Sequence, residues 1–182
     1  MSLHTLDVPR LRKALEFITD HPDEHDQSTW FSGIVYRKGD HTMEFEMNAG
    51  PNRVLNVLTQ SEDGTGISQE LEQWSCSTQT ACLAGHLALM GGAIPLSTGY
   101  VWHEGRTEEV AEAAADMLGV SLLDLYVPKT IPGLERIADS DYEGPALFQS
   151  KVYLFDGDIT PDEVLAVGNW LIEQAEWHQA QA

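Results

Sequence analysis

The residues best equipped for chemistry lie in one stretch, "CSTQTACLAGHLALMGG", residues 76–92, which holds both cysteines of the chain and His86. Cys82 and His86 are four apart, so a helix places them on one face. With Cys76 folded back onto that helix, three soft ligands would lie close enough to start a zinc site. A fourth would have to come from His103 or a carboxylate, and the spacing matches none of the common zinc patterns. Cys82 near a helix N-terminus, where the dipole lowers a thiol pKa, would suit a nucleophile with His86 as its base. A Cys76–Cys82 disulfide is also geometrically open. The plainest reading is close packing. Cys82 is then a small core residue, and Ala81, Ala84, Gly85 and Ala88 let neighbouring helices approach.

Weaker constellations follow. His21, Asp23, Glu24, His25 and Asp26 offer oxygen and imidazole ligands for a divalent cation, or simply a solvated helix end. Trp102-His103-Glu104 holds the parts of a general base with an orienting carboxylate, although chain neighbours rarely point the same way. Of five tryptophans, Trp30 and Trp170 suit the core. Trp74 and Trp177 suit interface anchors. The chain has no Walker A, GxGxxG, HExxH, GxSxG or CxxC pattern, so the common nucleotide-binding and hydrolase signatures are absent, and no cofactor is expected.

The elements that must position these residues are well punctuated. A first helix over 8–20 has Asp7 as its cap and Pro9 in its first turn, and ends at His21-Pro22. Residues 31–58 form a β region. A hairpin turns at Lys38-Gly39-Asp40, and Met43, Phe45 and Met47 alternate with polar residues. "PNRVLNVLTQ" fits a third strand or a short helix, and residues 61–75 read as a loop. A central helix over 79–91 is apolar nearly all round and closes at Gly91-Gly92. "AIPLSTGYVWHEGR" reads as a connector or edge strand. Thr107 caps a helix over 107–119, with Glu108, Glu109 and Glu112 in its first turn, where the dipole favours them. Ser121 starts a short helical turn, "PKTIPGLERIADSDYEGP" is a loop with a turn near 134–138, and "ALFQSKVYLF" holds a short strand. Thr160-Pro161-Asp162-Glu163 is a capping box that opens a C-terminal helix over 160–178. Four helices and a small sheet predict one mainly helical α+β domain over 1–182.

Ten Lys and Arg against 29 Asp and Glu give a formal charge of −19. Residues 1–60 contribute −3 and residues 61–182 contribute −16. Such a surface repels phosphate backbones and acidic membranes, so direct nucleic-acid or membrane binding is not expected. No run approaches a membrane span, and the N-terminus reads as a folded helix, not a signal peptide. Two cysteines suit reduced thiols in a cytoplasm.

"ALEFITDHPDEHDQSTWF" followed by "CSTQTACLAGHLALMGG" resembles a family of small proteins from actinobacteria and their bacteriophages. That family has an HPxxxxQxxW segment and a CxT..CxAGxA helix, followed by an AAxxLG helix and a C-terminal helix. The chain departs from the pattern at His86, where an aromatic residue is expected, and in a cysteine spacing one residue longer. The resemblance implies a bacterial cytoplasm and an accessory role, with no activity attached. Together these observations predict a non-enzymatic acidic protein that binds a host protein, a basic one by charge complementarity. Trp74, Trp177, Glu108, Glu109 and Glu112 are its candidate contacts. The alternatives are a thiol- or metal-dependent enzyme centred on Cys82 and His86, with Cys76 as a further ligand, and a DNA mimic that blocks a nucleic-acid-binding protein.

Overall fold

A computed structural model of the chain describes residues 3–44, 51–59, 71, 74–97, 99–138 and 150–181. Phe45 and Met47, most of the 61–75 loop and residues 139–149 lie outside the described residues. The chain is a single α+β domain, more helical than sheet, whose strands pair in short antiparallel sheets.

The helices are α1 (Val8–Asp20), α2 (Pro51–Leu58), α3 (Leu83–Met90), α4 (Val110–Met117), α5 (Glu135–Ala138) and α6 (Pro161–Gln179). The strands are β1 (Phe31–Ser32), β2 (Val35–Lys38), β3 (His41–Glu44), β4 (Ser75–Ser77), β5 (Thr80–Ala81), β6 (Ile94–Ser97), β7 (Tyr100–His103), β8 (Arg106–Glu109), β9 (Tyr126–Pro128) and β10 (Lys151–Tyr153). They pair as β3-β2-β4, β6-β7-β8, β1-β5 and β9-β10. No helix of the described residues is long and apolar enough to cross a membrane.

α1 begins where Asp7 accepts the Arg10 N–H at 3.0 Å, and its stripe of Leu11, Leu15 and Ile18 is buried. That stripe meets α6 across Gly168, where a Cβ would stand 2.6 Å from Leu15 Cδ1, so a larger residue would have to push the Leu15 side chain aside. α6 opens with the full capping box. Thr160 Oγ1 accepts the Glu163 N–H at 3.3 Å, and Glu163 Oε2 accepts the Thr160 N–H at 2.7 Å. α3 is the centre of the core, with Leu83 to Ala88 all buried. It ends in a Schellman motif. Gly92 takes φ +83°, its N–H reaches the Leu89 carbonyl, and the Ala93 N–H reaches the Ala88 carbonyl.

Several expectations change. "PNRVLNVLTQ" is helix α2, settling the ambiguity between strand and helix. The central helix starts at Leu83, not at residue 79, because Thr80 and Ala81 are held in β5 against Ser32 and Phe31 of β1. "AIPLSTGYVWHEGR" is two paired strands of a three-stranded meander, not a connector. The helix expected over 107–119 is shorter at both ends, spanning Val110–Met117. Glu104 and Gly105, at φ 48° and 82°, make the two-residue turn that favours a hairpin, and His103 pairs directly with Arg106. Residues 106–109 therefore enter a ladder, Thr107 pairs with Trp102, and Glu109 is the helix cap, without a side-chain hydrogen bond.

Candidate functional sites

Within the two motif-like segments, each holds the other in place. Gln27 Oε1 accepts the Leu83 N–H at 3.2 Å, and its Nε2 donates to the Asp156 carbonyl at 3.2 Å. The Cys82 N–H donates to the Thr29 carbonyl at 2.9 Å. Cys82 is the cap of α3, its Sγ accepting the Gly85 N–H at 3.4 Å. A Cβ at Gly85 would overlap the Trp30 carbonyl. Glutamine, tryptophan backbone, cysteine and glycine are thus parts of one helix-start joint, and their spacing follows from packing.

The thiols fit that structural role. Burial pushes the Cys82 and Cys76 thiols up to about 11 each, opposite to the lowering that a nucleophile at a helix start would need. Both cysteines are free: Cys82 is buried, and Cys76 sits on β4 opposite Tyr36. Among the described residues, no group of three or more His, Cys, Asp or Glu side chains converges to hold a metal ion.

The structure does bring two histidines together that the sequence analysis assigned to separate clusters. His25 and His86 are 9% and 6% exposed, with ring centroids 5.9 Å apart. Phe17 packs on His86 at 4.8 Å and on His21 at 4.5 Å. Both nitrogens of His25 and Nε2 of His86 are buried without a well-formed hydrogen bond. The Ala81 backbone near both rings and the Glu24 backbone near His86 only partly offset the cost of burial. Burial, aided by the neighbouring His25, lowers His86 to about 4, and burial lowers His25 in the same direction. Both rings are therefore neutral near pH 7. No sequence rule links residues 25 and 86; the β1–β5 pairing and the adjacent bridge from His25 to Ala81 bring them together.

His103 finds its carboxylate across the strand pair, not next to it in the chain. Nδ1 lies 2.9 Å from Oε1 of Glu108, which is buried, while Glu104 sits in the turn. Arg106 joins Glu108 Oε2 at 2.8 Å to Asp116 Oδ2 at 2.7 Å, tying the meander to α4. Glu108, expected as an exposed contact, is thus committed inside this network. Glu109 and Glu112 are exposed. Trp74 is half-buried: its Nε1 donates to the Leu58 carbonyl at 3.2 Å and Lys38 stands over its ring, which makes it a packing residue. Trp177 is 56% exposed. Trp30 and Trp170 are partly buried and pack against the core.

Beside the Arg106 network runs a groove of about 590 Å³ between β8–α4 and the turn at Leu122–Leu125. Glu112 and Asp116 line one wall, and Ser121, Leu122 and Leu123 line the other. Leu123 is 66% exposed, the largest value among the exposed large hydrophobic residues described. Comparison with family profiles, with curated proteins and with solved structures returns no match in any of the three.

Proposed function

We propose that the protein is a non-enzymatic binding protein that docks a basic segment of a partner protein in the groove along α4. The observation that carries this reading is that exposed Leu123 lines the same groove as the exposed carboxylate of Glu112, beside the Asp116–Arg106 pair. An apolar anchor beside fixed negative charge suits a short segment that pairs a hydrophobic side chain with Lys or Arg. The −19 charge supports it by steering a basic partner toward the surface and discouraging acidic ones. Arg106, the cation in the groove wall, is neutralised by Glu108 and Asp116. An actinobacterial or phage cytoplasm and an accessory role acting on a host protein remain part of the proposal, supported by the resemblance and by two free thiols.

The buried, unactivated thiols favour this reading over a thiol enzyme, and the one-sided apolar anchor favours it over nucleic-acid mimicry. The test is capture of protein from actinobacterial lysate, read by mass spectrometry, with wild type, Leu123→Ala/Glu112→Lys and the control Glu173→Lys on α6. The same basic protein should be captured by wild type and the control and lost with the groove variant. Equal capture by all three refutes the reading.

A further inference from the structure

A second cavity, of about 350 Å³, opens between the end of α1, the linker from β4 to β5, and α3. It shares no lining residue with the groove along α4. Phe17, Leu89 and Met90 form an apolar side, and Ser77 to Gln79 form a polar rim. Among the described residues, Glu24 is the carboxylate in the wall, and it is half-exposed. The remaining wall residue is His86, 94% buried by its 6% exposure, with Nε2 lacking a well-formed hydrogen bond.

A buried polar atom without a hydrogen bond costs on the order of 1–3 kcal/mol and calls for an explanation. Here that atom belongs to a ring that is part of a cavity wall, with Nε2 itself closed off from solvent, so a ligand would meet a ring nitrogen by turning the imidazole about χ2. Cavities of a few hundred Å³ with an apolar body and few polar groups are the usual form of small-ligand sites. We infer that this cavity binds a small arylalkylamine, an aromatic ring bearing an alkylammonium group. Its ring would pack on Phe17 and Met90, its ammonium would pair with Glu24, and a hydrogen-bonding edge would meet His86. Phe17 and Met90 suit an aromatic body because rings and a thioether both favour aromatic partners. Glu24 selects a cation. Its present neighbour, His21, stands 3.7 Å away and is itself half-exposed, so an incoming ammonium competes with a loose contact.

The probes are 2-phenylethylamine and its uncharged counterpart 2-phenylethanol, titrated into isotope-labelled protein and followed by NMR. Saturable shifts should concentrate on Phe17, His86, Leu89 and Met90. The amine should bind up to about fivefold tighter than the alcohol, the preference one partly exposed ion pair supplies. Glu24→Gln, at an exposed position that leaves folding intact, should equalise the two probes. Leu89→Trp should abolish binding of both by filling the cavity. Shifts scattered over the surface, no saturation with either probe, or an amine preference that survives Glu24→Gln would each overturn the assignment.

Discussion

Acid should destabilise this protein through His86, and the size of the effect follows from the geometry. The folded state holds the ring neutral down to about 4, against an ordinary value of 6.5, because it is buried beside His25 and Phe17. In the unfolded chain His86 takes up a proton as pH falls through 6.5, while the folded state does not until about pH 4. The unfolded state then binds more protons, so stability falls across that window and the contribution levels off below it. At about 1.4 kcal/mol per pH unit the full gap amounts to about 3 kcal/mol, and about 2.5 kcal/mol of it is spent by pH 4.5. The assay is urea unfolding by tryptophan fluorescence at pH 7.5, 6.0 and 4.5, for wild type and for His86→Phe. With a slope of about 2 kcal/mol per molar urea, the wild-type midpoint should fall by about 1 M more than that of the variant over this range. The comparison with the variant matters because protonating carboxylates also relieves the self-repulsion of a −19 chain, an effect of opposite sign shared by both proteins. His86→Leu, smaller and apolar, guards against a Phe too large for the site. Identical pH dependence in wild type and both variants would refute the reasoning.

Other expectations concern the helix-start joint and the caps. Gly85→Ala should cost about 2–3 kcal/mol, measured by denaturant unfolding, because the added methyl meets the Trp30 carbonyl and the Phe31 ring. Cys82 should resist iodoacetamide in native protein at pH 8 and react fully in urea; rapid native alkylation would contradict its buried, protonated state. Cys82→Ser, which restores a strong capping residue, should keep stability within about 1 kcal/mol of wild type in the same unfolding assay. Glu163→Ala removes half the capping box and the partner of Arg136, whose Nε and Nη2 reach it at 2.9 and 2.6 Å. It should lower stability by about 2 kcal/mol at neutral pH. Burial acts to raise the Glu163 carboxyl, but Arg136 and Thr160 together hold it below its ordinary value, so this difference should persist at neutral pH and shrink as acid protonates the carboxylate.

Local chemistry by itself determined where most helices begin and end. Asp7, Pro9, Thr160 to Glu163 and Gly91-Gly92 are capping and stopping signals that act within four residues, and they hold in the folded chain. The mixed α+β class followed from the periods of the apolar residues. Local reading failed where a ladder competed with a helix. Thr107 with three glutamates after it looks like a helix start, yet the Glu104-Gly105 turn returns residues 106–109 along β7, and paired backbone groups outweigh a preferred cap. The candidate sites divide the same way. The two cysteines were visible as types, but only burial decides that their thiols rise to about 11 instead of falling. His103 was seen beside a carboxylate, but the partner is five residues on, because Glu104 is taken up by the tight turn and the returning strand brings Glu108 alongside β7. The His25–His86 pair, the cavity behind Phe17 and the groove below Leu123 have no signature in the chain. The first two join residues far apart in sequence, whose nearness depends on how helices and strand pairs close around one core. The groove is made by residues 106–123 alone, but its shape depends on how the strand, helix and turn of that stretch fold back on one another.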